Sequence, residues 1–399
     1  QALGWFVAHP GNKLVLMKGN HDIEIVWPAV QRRMAQLLAA AYGDWHEQGV
    51  MGDVETPLTM DEELPEEITA DQVEAALQFP EMFLYEEGIF YVEHGCQYDP
   101  ANAFSNFANP RLQDNPKYIE LPAGSLFVRY FFNDVEKVHP FADNMKPISK
   151  YVFWLIRKSP TSLYKFLRDL LPMYLKATRK VHQKTRRHPD ENQQQSKNAF
   201  EAKLFQIQKA VRDGMKAGSK QTTRRMVGSV ALVLLSVVLA LVGVRLLALG
   251  SYLWMSAAFV GTLAFLLWSS YLFQSLDNLL AEPFLYKAAS QVCAYLNQGK
   301  DEAFTAVPYL IFGHDHAADV RPIHTDNQPG FVQWYVNTGA WVPVFSEENR
   351  LLRDDEQLTF LRLVPRRLQN NDRAAHEGLP ELLQWSQAAN APRPVRLFE

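Results

Sequence analysis

Between Met226 and Leu276 the chain carries a single charged side chain, Arg245, which divides 19 uncharged residues (226–244) from 31 (246–276). A membrane-spanning helix needs about 20 predominantly apolar residues. Two spans therefore fit, roughly 226–244 and 252–274, the second carrying Trp254, Trp268 and Tyr271 near expected interfaces. The connection Arg245–Ser251 is short enough to make them a helical hairpin. A buried hairpin in a large soluble core is the competing reading, but apolar runs of this length are rarely needed there. Lys209, Arg212, Lys216, Lys220, Arg224 and Arg225 precede the first span, whereas Arg245 stands alone between the two. The positive-inside rule then places residue 225 in the cytoplasm, and two spans return the chain to that side. A cell inner membrane or plasma membrane location follows, with the soluble parts cytoplasmic.

Averages conceal this stretch. Mean hydropathy is −0.20, and 47% apolar with 21% charged residues over 399 positions describes a globular chain rather than a disordered one. A net charge of −4 argues against a dedicated nucleic-acid binder. Cys96 and Cys293 are too few for a disulfide framework and sit in apolar surroundings suited to a reducing compartment. The chain opens Gln1-Ala2-Leu3-Gly4-Trp5, without an initiator Met or signal-peptide character, and is expected to be a piece of something longer.

Soluble elements flank the hairpin. Residues 13–18 read as a buried strand, 28–42 as a helix stopping at Gly43, and Thr69-Ala-Asp-Gln72 as a capping box opening a helix. A strand over 88–92 ends at Glu93-His94-Gly95. After the hairpin come a helix near 284–298 and strands at 309–312, 332–337 and 358–364. One α/β core is thus built from 1–115 and 284–365, interrupted by an aromatic and basic membrane-proximal insertion (116–225) and by the hairpin with its return (226–283). Residues 366–399 read as a polar tail.

Three segments share one context, an apolar strand running into a glycine-containing loop rich in metal-capable side chains: Gly19-Asn20-His21-Asp22, His94-Gly95 and Gly313-His314-Asp315-His316. Loops at the carboxyl ends of strands are where such folds gather active sites, and neutral imidazole is the commonest metal ligand. Together and in this order the segments resemble the calcineurin-like metallophosphoesterase superfamily, whose signature ends with Gly-Asn-His-Asp/Glu, a lone His before Gly, and Gly-His-x-His. Asn337-Thr338-Gly339 resembles a turn that often follows the last motif. The resemblance covers the soluble core, about half the chain, and implies a calcineurin-like αββα sandwich, incomplete at its amino terminus.

What it implies for chemistry can be stated residue by residue. Asn20, His94 and His314 would ligate one divalent ion and His316 a second, the ions being Mn, Fe or Zn. His21 would be the catalytic imidazole and Asp22 would fix its orientation. Such a pair of ions clamps phosphoryl oxygens and turns a bridging water into hydroxide for in-line attack. The expected function is hydrolysis of a phosphomonoester, phosphodiester or pyrophosphate, lipid-linked substrates included, at the cytoplasmic membrane face. A protein phosphatase or nuclease of the same superfamily is a second possibility, and a degenerate, membrane-tethered binding module a third.

The last arises from a departure. The family opens with Asp-x-His and Gly-Asp-x-x-Asp, and neither precedes Gly19; Gly43-Asp44-Trp45-His46 mimics both but follows a helix-like run. A lipid-directed branch of the family also carries Arg where this chain has His21, so the resemblance assigns no substrate. Asp99 and Asn102 either contact substrate or cap a turn, the cap being favoured. His139, His182, His188 and His324 read as surface residues. Lys176, Arg179, Lys180, Lys184, Arg186 and Arg187 read as a solvated, lipid-facing patch.

Overall fold

In chain order the main elements are α1 (Ala2–Ala8), β1 (Leu14–Val15), α2 (Pro28–Gln48), α3 (Ala70–Ala76), β2 (Leu77–Gln78), β3 (Phe83–Glu86), β4 (Phe90–Glu93), β5 (Arg111–Leu112), β6 (Asn115–Ile119), α4 (Ala123–Phe127), α5 (Ala199–Ala248), α6 (Tyr252–Leu280), α7 (Phe284–Asn297), β7 (Tyr309–Phe312), β8 (Asp319–Ile323), β9 (Gln333–Asn337), β10 (Val344–Phe345), β11 (Leu352–Asp354), β12 (Thr359–Arg362), β13 (Glu381–Ser386) and β14 (Ala391–Pro394), with 3-10 turns at Ile23–Val26 and Cys96–Tyr98. The computed structural model describes residues 1–48, 65–99, 101–112, 115–127, 168–169, 172–173, 176, 179, 199–280, 284–299, 304–315, 318–323, 332–339, 341, 344–345, 352–354, 358–363, 380–386 and 389–395.

The central sheet has the order β3-β4-β7-β9-β8, with β4, β7 and β9 parallel and both edge strands antiparallel. Its register aligns Val92, Ile311 and Val336 across three strands, and Tyr91, Leu310 and Tyr335 beside them. Because successive side chains point to opposite faces, the two rows serve different cores. Ile311 and Val336 pack with Leu382 and, around them, Leu361 and Val395 of a second, antiparallel sheet, β12-β13-β14. Tyr91, Leu310, Phe312 and Tyr335 are covered instead by Leu285, Ala288, Val292 and Leu296 of α7 and by Phe200, Leu204, Ile207 and Val211 of α5. The protein is therefore of the α/β class expected, layered helix, sheet, sheet.

α7 and the capping box at Thr69 lie where the sequence places them; Thr69 accepts from Gln72 N–H and the Gln72 side chain returns to Thr69 N–H. Three elements differ. α2 passes through Gly43 to Gln48, because packing outweighs the roughly 1 kcal/mol that glycine costs a helix: Ala35 is buried against Val7, Val73 and Leu77, and the buried Tyr42 donates to Pro65 O. Asp44 is thus an exposed helical residue. Secondly, α5 begins at Ala199, so the end of the 116–225 insertion and the first apolar run are one helix, and its first turns belong to the core. Thirdly, the stretch read as a polar tail contains β13 and β14. Their Gln, Arg and Pro content dilutes the apolar alternation, and Pro392 and Pro394 are tolerated because β14 is an edge strand.

α5 and α6 pack along their length. Gly243 faces Ala258 and Phe259, Gly261 faces Leu239, and Thr262 Oγ1 donates across the pair to Ser236 O at 3.4 Å. Windows Ala231–Ala248 and Tyr252–Tyr271 are long and apolar enough to cross a membrane. Their outer faces are bare: Leu241 is 66% and Val260 69% exposed.

The position of β13 can be tested on stability. Leu382 is buried between the sheets, so Leu382→Ala is expected to cost about 2–4 kcal/mol in denaturant unfolding. A leucine in a solvated tail would change it by less than about 0.5 kcal/mol.

Candidate functional site

β4 and β7 end in register, Glu93 opposite Phe312. Hence His94-Gly95 and Gly313-His314 leave the same sheet edge side by side, and Gly313 N–H donates to His94 O at 3.2 Å. β9 ends one strand over, Asn337 opposite Phe312. The Asn337 side chain donates to Gly313 O at 3.2 Å and accepts from Gly339 N–H at 2.9 Å, which anchors the His314 loop. The Gly19–Asp22 loop meets this edge from the amino-terminal part of the chain, and there Asn20 is buried.

Two glycines are required by space. A methyl group on Gly19 would lie 2.4 Å from His94 Nε2. Gly95 has φ 95°, and a methyl group there would lie 2.8 Å from Leu285. His314 itself has φ 68°, a left-handed conformation that non-glycine residues adopt at a cost.

Asn20, His94 and His314 are brought together. The two imidazole centroids are 5.3 Å apart, and His314 Nδ1 lies 3.2 Å from Asn20 Oδ1. His314 Nε2 lies 3.2 Å from Asp99 Oδ2. Asp99 also accepts from Ala101 N–H at 2.8 Å and from Asn102 Nδ2 at 2.7 Å. The turn cap favoured from sequence is present, and the same carboxylate also grips the imidazole, a role that a short polar loop after His94-Gly95 does not announce. His21 is exposed and near enough for its charge to disfavour protonation of His94. The Asp22 carboxylate accepts from Gly19 N–H, closing the motif turn. His316 lies outside the described residues, as do His139, His182, His188 and His324.

Burial, with the nearby His314 and His21, pushes the His94 imidazole down to about 3, so it is neutral at physiological pH. Burial alone would raise Asp99, but hydrogen bonds from His314, Ala101 and Asn102 hold it below its ordinary value. Glu93, wholly buried, is pushed up to about 7 despite hydrogen bonds from Tyr98 and Gln208. Lys18 is buried beside the motif, donates to Ala108 O at 3.2 Å, and is lowered by desolvation to about 8. Buried Cys96 and Cys293 are free and their thiols are pushed up, as for inert core residues.

Among the described residues no group of three or more His, Cys, Asp and Glu is arranged to hold a metal ion. The donors at the motif loops nonetheless suit one. With the His314 proton on Nε2, facing Asp99, the Nδ1 lone pair and Asn20 Oδ1 are two acceptors turned towards each other. A cation satisfies that pairing, and a carboxylate behind a ligating His is the usual supporting partner. His94 differs: its Nδ1 accepts from Cys96 N–H at 3.3 Å, leaving Nε2 beside Gly19. No protein-family model, curated protein or solved structure matches this chain.

Opposite pH dependences follow. Between pH 3 and 6.5 the unfolded chain protonates His94 and the fold does not, so this group's contribution is fully present above 6.5 and is lost as pH falls towards 3. The contribution of Glu93 is fully present below 4.5 and is lost as pH rises through 7. The two oppose each other between 4.5 and 6.5. In metal-free protein, His94→Gln is therefore expected to flatten the acid limb below pH 4.5 by up to about 1.4 kcal/mol per pH unit. Denaturant unfolding at pH 3, 3.75 and 4.5, wild type against variant, measures this.

Proposed function

We propose that this chain is a calcineurin-like metallophosphoesterase, hydrolysing a phosphoester with divalent metal ions and tethered to a membrane by the α5–α6 hairpin. One observation carries the reading: Asn20, His94 and His314, one from each of three motifs far apart in sequence, converge at one sheet edge. The helix, sheet, sheet layering supplies three of the four layers of an αββα sandwich and supports the same reading.

In this reading Asn20, His94 and His314 hold metal, with His316 contributing through its motif. When bound, divalent ions supply Lewis acidity towards phosphoryl oxygens and a nucleophile from water. The chain's own residues do the rest. Asp99 orients His314 and fixes its proton on Nε2. Buried, neutral His94 has one ring lone pair at neutral pH, met in the metal-free site by Cys96 N–H on Nδ1, so holding a metal through Nε2 requires the other tautomer. Exposed His21 is free to meet the substrate and give a proton to the leaving group. Gly19 admits the His94 ring by having no side chain. The bare apolar faces of both long helices suit lipid.

The test is Mn-dependent hydrolysis of an aryl phosphodiester by the complete protein. His94→Ala and His314→Ala should abolish turnover, and His21→Ala should lower it about 10²–10⁴-fold. Asp99→Asn should weaken metal affinity or activity about 10–100-fold. Undiminished turnover in His21→Ala would remove that residue from its role. Recovery of the protein in a detergent-free high-speed supernatant would overturn the membrane assignment.

A further inference from the structure

We infer that Asn102 is a positioning residue for the metal site, turning the Asn20 amide so that its oxygen, and not its nitrogen, meets the cation; this rests on the metal reading above. A side-chain amide is nearly symmetric in shape, yet one tip is an oxygen that accepts and the other a nitrogen that donates. A ligating asparagine is preorganised only where a partner behind it fixes which tip faces the ion.

Four side chains supply that partner as a ring. Asn20 Nδ2 donates to Asn102 Oδ1 at 3.4 Å, and Asn102 Nδ2 donates to Asp99 Oδ2 at 2.7 Å. The same Asp99 oxygen faces His314 Nε2 at 3.2 Å, and His314 Nδ1 faces Asn20 Oδ1 at 3.2 Å, which closes the circuit. Its polarity has one source. An ionised carboxylate accepts and has no proton to give, so both neighbours of Asp99 must present a donor to it. On one side this fixes a proton on His314 Nε2. On the other it turns Asn102 Nδ2 to Asp99, which leaves Asn102 Oδ1 for the Asn20 N–H and Asn20 Oδ1 for the side facing His314. Two arms from one carboxylate thus orient two ligands towards one point.

Asn20 depends on the arm through Asn102. Among the described residues its side chain hydrogen-bonds only Asn102 and His314. Facing the His314 lone pair alone, the amide would gain by turning Nδ2 to it, an arrangement that satisfies both groups and presents nitrogen to the ion. Asn102 opposes that turn, because its own oxygen would then meet the Asn20 oxygen. The Asn102 backbone belongs to the turn, its N–H donating to Asp99 O at 3.0 Å, which frees the side chain for the site. α4 closes over it: Gly124 N–H donates to Ala101 O at 2.7 Å, and a methyl group on Gly124 would strike Asn102 Oδ1.

The experiment is a double-mutant cycle in Mn affinity, read from the electron paramagnetic resonance signal of free Mn over the complete protein in lipid nanodiscs, with no turnover required. Asn102→Ala is expected to weaken Mn binding about 10–100-fold. In an Asn20→Asp background both tips accept and no turning is needed, so there the same change should cost no more than about 2-fold. An equal loss in both backgrounds, the result of a turn-capping role, overturns the inference, as does undiminished affinity in Asn102→Ala. Asn102→Ser keeps a turn residue but cannot reach both neighbours, and it carries the cycle should Asn102→Ala not fold. Wild-type protein that takes up no Mn overturns the metal reading itself, and the positioning role with it.

Discussion

The site depends on the parallel pairing of β4 with β7. Their register sets Glu93 opposite Phe312, and from that alone the two histidine-bearing loops emerge together. Parallel strands cannot be joined by a tight turn and need a crossover. Here the crossover is the whole chain between Glu93 and Tyr309, containing the two long apolar helices and ending in α7. Closing a long connection costs only slowly more as it lengthens, so an insertion of this size is compatible with an undisturbed sheet. Both α5 and α7 then lie on the sheet face that a crossover helix covers.

That placement ties the long helix to the chemistry. Glu93 is buried, accepts from Tyr98 at 2.6 Å, and is also bonded by Gln208 of α5. Its neighbour in sequence is His94, and the Cys96–Tyr98 turn packs on α5. A buried polar group of this kind is tolerated because its hydrogen bonds are made inside the fold. It fixes the height and rotation of α5 against the strand that delivers His94. Gly95, in its left-handed conformation, lets the chain turn between them without striking Leu285.

Much of this was legible in the sequence. The apolar runs point to two long helices, and the motif segments alone single out Asn20, His94 and His314. Short strands of β-rich apolar residues, such as Tyr309–Phe312, carried their own signal. Features that local sequence does not carry have physical causes. Asp99 looked like a turn residue because it is one; its second bond, to His314, joins residues 215 positions apart. Gly43 read as a helix stop, since propensity cannot register the burial of Ala35 and Tyr42 around it. Leu382 and Val395 looked solvated because the sheet that buries them comes from elsewhere in the chain. The continuity of α5 across residues 225–226 was hidden by the change from basic to apolar composition, which marks a change of solvent and not a break in the helix.

The central claim is that Asn20, His94 and His314 converge because they hold a metal ion. Anomalous diffraction from crystals of the complete protein grown with Mn tests it most directly. The account predicts an Mn peak within bonding distance of Asn20 Oδ1, His314 Nδ1 and a His94 ring nitrogen, with Asp99 still on His314 Nε2. An empty cluster at saturating Mn, or Mn bound only elsewhere, would contradict it.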